Sequence, residues 1–334
     1  MKEHIESIDI LKGITIILVI VGHALQGILS TSNLTINMEY NTIFVLRQII
    51  YGFHMPLFFI ISGLFIDFWS KKNIKEAILQ KIFRLVVPYF IWSAITAIIM
   101  QLAINYTNNG LGIKEFLLSP IIPFSQYWFL YVLFFLHIIY YVCLNIIKEN
   151  GKLLFLLISF ILYVLNPLFN DIWILKMLCR YMVFFSIGSY ILTFIDLKQF
   201  SCEKILLPTV IFLFFNIMYI KIIYIDNVLI KYYFWFITSI IGSYYCFIIS
   251  YYIINKMRKI KVVLGIFGRY SMEIYCTHLF GIVAIRIFLL KFLGIKELWF
   301  IVITSVVFTL LVYFIIFKNF SYKKTKIKLL FGTK

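Results

Sequence analysis

The residues best suited to chemistry are a lysine and a histidine near the start of the chain. Lys12 and His23 are eleven residues apart, so on a helix they share one face, about 16 Å apart along the axis. Histidine titrates near neutral pH and is suited to general base catalysis. Asp9 can pair with Lys12 on the helix surface. A structural role is equally compatible, with Lys12 extending towards water and His23 hydrogen-bonded inside a bundle.

A second histidine, His54, lies beside a proline in the segment FHMPLFFIISG, which ends at Gly63. Pro56 removes one helical hydrogen bond next to His54. Interrupted helices at membrane depth are tolerated where they line a cavity of the protein. We therefore expect His54 to border a cavity, whereas Ser62 and Gly63 are typical of close helix packing.

Two cations stand three residues apart in the segment KIFRLVVPYFIW, namely Lys81 and Arg84. On one face of a helix beside the membrane, they could hold the phosphates of a cytosolic cofactor. Topology alone would also place positive charge at this point, because loops on the cytoplasmic side are enriched in lysine and arginine. The sequence leaves both interpretations open.

A second polar stripe is predicted in the segment RYSMEIYCTHLFG. Ser271, Tyr275 and His278 fall on one helical face, whereas Glu273 points to the other and needs a separate partner. Tyr275 and His278 could orient a base or bind an acceptor, and Glu273 is a further candidate for that role.

Three other polar or aromatic side chains have mainly structural interpretations. Tyr127 and Trp128 open an apolar run where an aromatic belt at the outer membrane interface is expected, although Trp128 is also kept as a candidate for binding substrate. His137 lies in a uniformly aromatic and aliphatic segment, which favours a structural hydrogen bond.

No metal site or disulfide framework is predicted. A site built from His23, His54 and His278 is conceivable because imidazole is a common metal ligand. No two of these histidines have a helical ligand spacing such as i and i+4. The five cysteines include no CxxC pair and are odd in number. We therefore expect no metal cofactor.

The elements that carry these residues are predicted to lie in a lipid bilayer. The chain is 63% hydrophobic and 13% charged over 334 residues, far more apolar than a soluble domain. A net charge of +17 could suggest nucleic acid, but the basic residues form short clusters between apolar runs, which membrane topology explains better. We expect one membrane domain over residues 1–334, without a soluble accessory domain and without a nucleic-acid partner.

The pattern predicts an all-α integral membrane protein of about ten transmembrane helices. The expected spans are 10–29, 43–67, 84–105, 127–147, 152–169, 172–195, 205–225, 232–254, 270–291 and 297–318. The first contains a histidine and lacks a small-residue cleavage site, so it is expected to be retained rather than removed as a signal peptide. Lysines and arginines alternate between loops in a way that predicts cytoplasmic termini.

These segments together resemble the acyltransferase 3 family of membrane-bound O-acyltransferases. The resemblance rests on IDILKGITIILVIVGH, FHMPLFFIISG, KIFRLVVPYFIW, YWFLYVLF and GRYSMEIYCTHLF, in that order from about Ile8 to His278. Within the family, the chain looks most like the branch related to fucose 4-O-acetylases and Nod-factor acetyltransferases.

The resemblance implies a ten-helix domain that transfers an acyl group, usually acetyl from cytosolic acetyl-CoA, to a carbohydrate hydroxyl on the other side of the membrane. The family's basic residue and histidine match Lys12 and His23, and its following basic pair matches Lys81 and Arg84. It implies His23 as the catalytic residue and the three cations as donor-binding residues. Lysine at position 12, where many members have arginine, loses bidentate phosphate binding.

Two other classes of function compete with an O-acetyltransferase. Intramembrane histidines and a broken helix would also fit an exporter of a polysaccharide or a lipid-linked sugar, although no inverted halves are visible. A sensor or scaffold could use the same membrane domain without chemistry. Abundant Ile, Lys, Asn, Tyr and Phe suggest an AT-rich bacterial genome, which predicts a multi-pass protein of the cytoplasmic membrane. The expected acceptor is a cell-surface glycan or its lipid-linked precursor.

Overall fold

The computed structural model describes residues 2–31, 38–103, 111–147, 150–169, 172–194, 205–319 and 330–332. Within these residues the chain is built from α-helices joined by short connections and contains no strand. The helices are α1 Lys2–Leu29, α2 Met38–Gly63, α3 Ile66–Ser70, α4 Ile74–Lys81, α5 Val87–Leu102, α6 Ile113–Leu117, α7 Trp128–Ile147, α8 Gly151–Leu165, α9 Trp173–Phe194, α10 Leu206–Ile223, α11 Val228–Lys256, α12 Arg258–Arg269, α13 Ser271–Ile287 and α14 Leu298–Asn319.

The all-α membrane architecture predicted from the sequence is confirmed. By length and composition, 9 helices in the described part of the chain can cross a membrane, and each covers one predicted span. The span predicted over 172–195 is also helical, as α9, but Lys176 and Arg180 make it more polar. The cytoplasmic placement of the termini stays a prediction, and several of the basic residues that support it, including Lys323–Lys328, fall outside the described residues.

The chain forms two compact units. The first comprises Met1–Phe58 and Asp196–Tyr322, and the second comprises Phe59–Ile195 and Lys323–Lys334. In the first unit, α1 packs against α11, α12, α13 and α14. This central position follows from the apolar composition of α1, where Ile10, Ile16 and Ile20 are fully buried. The expectation of one membrane domain is not decided by this division and stays a prediction.

Helix α12 is an element that the sequence interpretation missed, because its basic residues were assigned to a loop. Leu264 and Phe267 are buried, whereas Arg258 and Lys259 are exposed, so the helix is amphipathic. It lies directly on α1, where Gly268 faces the backbone of Asp9 and a Cβ at this glycine would overlap the Asp9 carbonyl. A 12-residue amphipathic helix is too short to register as a membrane span.

Helix α2 carries Pro56 in its interior, and its neighbour α11 compensates for the hydrogen bond that the proline removes. The carbonyl of Gly52, four residues before Pro56, accepts a hydrogen bond from the hydroxyl of Ser239 at 2.6 Å. The close approach is possible because Gly242 packs against the ring of Phe53. The helix nevertheless continues without a break from Met38 to Gly63, so the interrupted helix expected at Pro56 is wrong. The cavity expected beside His54 stays a prediction.

Ser239→Ala should destabilise the protein because it leaves the buried Gly52 carbonyl without a side-chain donor. An unsatisfied buried acceptor costs about 1 to 3 kcal/mol, which should lower the midpoint of thermal unfolding in detergent. Ser243→Ala is the matched control, since Ser243 is one turn further along α11, is buried, and has no hydrogen-bond partner for its hydroxyl among the described residues. Equal stability losses in the two variants would contradict this explanation.

The second unit is held together by small residues and buried hydroxyl groups. Gly63 packs against the Phe185 carbonyl of α9, which confirms the close helix packing predicted for this glycine. Helices α8 and α9 share a buried hydrogen bond between Ser159 and Ser186, at 2.8 Å. The hydroxyl of Tyr89 on α5 donates to the Ser119 carbonyl at 2.7 Å and thereby fixes the segment that precedes α7.

Candidate functional site

Three histidines that are distant in the sequence meet in the first unit. The rings of His23 on α1 and His278 on α13 have their centroids 5.1 Å apart. His54 on α2 is linked to the pair through Tyr51, whose ring lies 4.7 Å from His54 and 6.4 Å from His23. Helices α1, α2 and α13 thus bring together three of the residues predicted to do chemistry.

Two of these histidines are fixed by their own helices. Nδ1 of His54 donates to the Ile50 carbonyl at 2.8 Å, and Nδ1 of His278 lies 2.8 Å from the Tyr275 carbonyl. Because a carbonyl only accepts, Nδ1 carries the proton in both rings and the Nε2 lone pair is available. Nε2 of His278 is buried and has no hydrogen-bond partner within the described part of the chain.

His23 differs from the other histidines of the site. Its ring makes no hydrogen bond with any residue that the structure describes, and it is half-buried, whereas His54 and His278 are buried. The alternative role for His23, a structural hydrogen bond inside the bundle, is therefore not found among these residues. The ring is partly accessible, and neither of its nitrogens is engaged by a described residue.

Three further polar side chains of α13 have contacts in the structure. Tyr275 is buried, with its ring 6.2 Å from that of His278, so it belongs to the histidine cluster. Glu273 is also buried and lies close to Cys276. Thr277 anchors this helix to α14 through a 2.7 Å hydrogen bond with Tyr313. Tyr275 and His278, which the sequence places on one helical face, are thus both buried.

Arg47 joins the cluster, and the sequence interpretation did not single it out. Its guanidinium stacks on the Tyr51 ring, 3.9 Å from the centroid, and its Nε donates to Oε1 of Gln26 at 2.8 Å. It is close enough to interact electrostatically with both His23 and His54. A cation therefore stands beside the histidines.

Arg286 is a second arginine in this region that the sequence interpretation missed. It is only 7% exposed, and its guanidinium packs against Gly27, where a Cβ would overlap Nη1. Gly27 follows His23 by four residues, which is one turn of α1. Arg47 and Arg286 both lie inside spans that the sequence predicted, so an arginine within an apolar run was the available signal.

Lys12 and Asp9 lie further along α1, towards its start, away from the histidines. The Asp9 carboxylate interacts electrostatically with Lys12 and with Arg269 of α12. Arg269 thus adds a third charged group to the expected pair of Asp9 and Lys12. The carboxylate of Glu6 forms a 2.9 Å salt bridge with Lys261, which adds a second charged contact between α1 and α12.

Lys81 and Arg84 belong to the second unit, at the junction between α4 and α5. This junction is a π-helical segment, Ile82–Val86. The ammonium group of Lys81 lies 5.0 Å from the centroid of the Trp69 ring, within the range of a cation–π interaction. Arg84 is exposed, and its backbone contacts Gly332 near the end of the chain. Arg84 is therefore open to a ligand of this unit, whereas Lys81 packs on Trp69.

Trp128 lies in an aromatic group of the second unit. Its ring lies 5.2 Å from that of Tyr181, 6.3 Å from that of Phe59 and 6.4 Å from that of Trp173. Tyr127 is fully buried, and its hydroxyl shares a 2.8 Å hydrogen bond with Thr96. The interpretation of Tyr127 as part of an outer aromatic belt is therefore wrong, because its hydroxyl bonds to α5 rather than to the interface.

His137 also belongs to the second unit, where it packs between aromatic rings. Its ring lies 5.3 Å from that of Trp69 and 5.1 Å from that of Phe185. Nδ1 donates to the Leu133 carbonyl at 2.7 Å. The structural hydrogen bond predicted for His137 is confirmed.

Metal binding finds no support in the part of the chain that the structure describes. No group of three or more His, Cys, Asp or Glu side chains among these residues is arranged to hold a metal ion. The cysteines described, Cys143, Cys179, Cys246 and Cys276, have free thiols.

Two comparisons with known proteins found a match. The family model described as an acyltransferase domain matches residues 5–318. The nodulation protein NolL of Sinorhizobium fredii is 31% identical to the chain over 130 residues, which are 37% of this chain. The match covers 32% of NolL, so the similarity extends over about a third of that relative's length. No solved structure matches the chain.

Proposed function

This chain belongs to the acyltransferase 3 family, and we propose that it is a membrane-bound O-acyltransferase with cytosolic acyl-CoA as donor, most simply acetyl-CoA. The proposed acceptor is a hydroxyl group of a cell-surface glycan or of its lipid-linked precursor. The proposed location is the bacterial cytoplasmic membrane, with both termini in the cytoplasm. One domain performs the reaction.

The observation that carries this proposal is the accessible ring of His23 beside the buried His278. A general base must reach the proton that it removes, and His23 is half-buried with no hydrogen bond to a described residue. Ionisable side chains within membrane spans are rare and often mark functional sites. Three such histidines on three helices are more consistent with chemistry than with packing alone.

The reaction can follow one of two routes at His23. In direct transfer, the ring removes the proton of the acceptor hydroxyl, whose oxygen forms the new ester bond while the thioester C–S bond breaks. The proton then passes to the sulfur of the departing CoA thiolate. In the covalent route, a nitrogen of His23 attacks the thioester carbonyl, the C–S bond breaks and the CoA thiolate leaves. The acceptor oxygen then attacks the acyl group, the C–N bond to His23 breaks, and the hydroxyl proton passes to the thiolate. Both routes require an unprotonated, accessible imidazole.

His278 is proposed as a positioning residue for His23. Because its Nδ1 donates to backbone carbonyls, its Nε2 can only accept a hydrogen bond. An N–H of His23 turned towards it would be held there, so that the other nitrogen of His23 is the base. This is the arrangement by which a histidine is generally oriented for proton transfer.

His278→Phe should lower the turnover number by about tenfold or more, because His23 loses the acceptor that selects its tautomer. A glutamine at this position retains an acceptor and should restore part of the rate. The pH profile of turnover should also shift in the phenylalanine variant, a change that a merely structural role would not produce. An unchanged profile at reduced protein yield would contradict the positioning role.

Lys81 and Arg84 are proposed to bind the phosphates of acyl-CoA, and Lys12 is a separate proposed donor-binding residue of the first unit. Guanidinium and ammonium groups bind phosphate through charge-assisted hydrogen bonds. Lys81 is further held by the Trp69 ring. Trp128 is proposed to contact the acceptor, because it lies in a group of aromatic rings with Trp173 and Tyr181. Asp9 is proposed to pair with Lys12. The side chains of His54, Glu273 and Tyr275 are proposed to orient His23 or to bind the acceptor.

The test uses inverted membrane vesicles that contain the protein, supplied with acetyl-CoA labelled in the acetyl group. Label should enter the glycan or lipid-linked sugar fraction and should not enter it in vesicles without the protein. The competing exporter function predicts that glycan crosses the membrane without donor and without label. Transport of unlabelled glycan that is independent of acetyl-CoA would overturn the proposal.

A further inference from the structure

Arg47 and Arg286 place two positive charges at one end of the histidine cluster. They reach neighbouring positions of α1, since Arg47 donates to the side chain of Gln26 and Arg286 packs against Gly27. Gln26 and Gly27 follow His23 by three and four residues, so both contacts lie about one turn, or 6 Å, beyond His23 along the axis.

Neither charge is neutralised within the described part of the chain. Arg47 donates to the neutral amides of Gln26 and Gln48, at 2.8 and 2.7 Å. Only 7% of Arg286 is exposed, and this arginine makes no hydrogen bond or salt bridge with another described residue. A guanidinium inside a membrane span is costly unless a partner compensates it. The site therefore lacks an anion.

The two arginines lie at the far end of α1 from Lys12. Gly27 follows Lys12 by fifteen residues, which corresponds to about 22 Å along the helix axis. The donor's phosphates, which the proposed function assigns on α1 to Lys12, are therefore not suitable candidates for this anion. The acceptor, which arrives from the opposite side of the membrane, is suitable.

We propose that Arg47 and Arg286 bind an anionic oxygen group of the acceptor, a phosphate or a carboxylate, and hold the neighbouring hydroxyl at His23. Guanidinium groups suit this role because their donors match the geometry of both anions. Tyr51 fixes Arg47 by stacking, and Gly27 leaves the space that Arg286 occupies. This proposal depends on the proposed function only in assuming that the anion belongs to the acceptor.

The test measures binding by the purified full chain in detergent, without any acyl transfer. Farnesyl diphosphate represents a lipid-linked diphosphate, and trigalacturonate represents an acidic glycan, with farnesol and maltotriose as uncharged counterparts. The wild type should bind at least one of the two anionic probes about tenfold more tightly than its uncharged counterpart. The probe that binds more tightly shows whether the acceptor's charge is a phosphate or a carboxylate.

Arg47→Gln and Arg286→Gln should each weaken binding of the preferred anion about tenfold and leave CoA binding unchanged. Arg258→Gln, an exposed arginine on α12 of the same unit, is the matched control and should bind as the wild type does. Because Arg286 is buried, Arg286→Lys tests the site without removing its charge and should retain part of the affinity.

Equal binding of charged and uncharged probes by the wild type would overturn the inference, as would full anion binding in both glutamine variants. Either result leaves the proposed function standing, since labelled acetyl-CoA tests that separately. Conversely, loss of acyl transfer in the vesicle assay with anion binding intact would overturn the proposed function while the two-arginine site remains.

Discussion

His23→Ala should abolish acyl transfer while the protein still inserts and folds. General base catalysis by a positioned histidine contributes about 10²- to 10⁴-fold to a rate, and a covalent route would be lost entirely. The ring of His23 has no hydrogen bond to a described residue, so its removal breaks no hydrogen bond that the folded structure shows. Initial rates with labelled acetyl-CoA in membranes, normalised to protein amount, measure the effect.

His137→Ala is the matched control for that variant. His137 is buried against Trp69 and Phe185 in the second unit, and Nδ1 donates to its own helix. Its removal should leave a cavity and lower thermal stability, whereas acyl transfer should stay within a few-fold of wild type at low temperature. A pattern in which His23→Ala retains transfer and His137→Ala loses it would reverse the assignment of roles.

The double variant Lys81→Gln, Arg84→Gln should weaken CoA binding by about tenfold to a hundredfold, because two charge-assisted contacts to phosphate are lost. The effect should appear as a raised KM for acetyl-CoA. It should be absent with an acetylated pantetheine donor, which lacks the nucleotide phosphates. Isothermal titration with CoA on the purified protein measures the binding directly.

Lys75→Gln provides the control for this double variant. Lys75 is an exposed lysine on α4, one of the helices that lead into the π-helical junction, and it carries the same charge. If topology alone explained the cations at this end of the chain, all three substitutions would leave CoA binding unaffected. Equal weakening by Lys75→Gln would instead indicate a diffuse electrostatic attraction rather than a site at Lys81 and Arg84.

The membrane helices could be predicted from the sequence because each required only a long apolar run. Helix α12 could not be predicted in this way. Its basic residues resemble those of a loop, and its apolar residues are buried only because the helix packs on α1. Gly13 illustrates the difficulty. It lies directly against the backbone of Leu264, which is 251 residues further along the chain. No local sequence pattern indicates such a contact.

The candidate site was partly predictable for a similar reason. His23, His54 and His278 stand out because histidine is costly in an apolar helix, and Pro56 marks the point where α2 lacks one backbone hydrogen bond. The pairing of His23 with His278 depends on how α1 packs against α13, which helical periodicity does not specify. Arg47 and Arg286 carried the same signal as the histidines, but their partners, Tyr51 and Gly27, become visible only in three dimensions.

The central claim, acyl transfer to a surface glycan by His23, is tested most directly by mass spectrometry of that glycan. Cells lacking the protein would be complemented with the wild-type chain or with His23→Ala at equal membrane levels. We expect the wild-type chain to restore one acyl mass, an acetyl in the simplest case, per repeat unit and the variant to restore none. Identical glycan masses in the two complemented strains would contradict it.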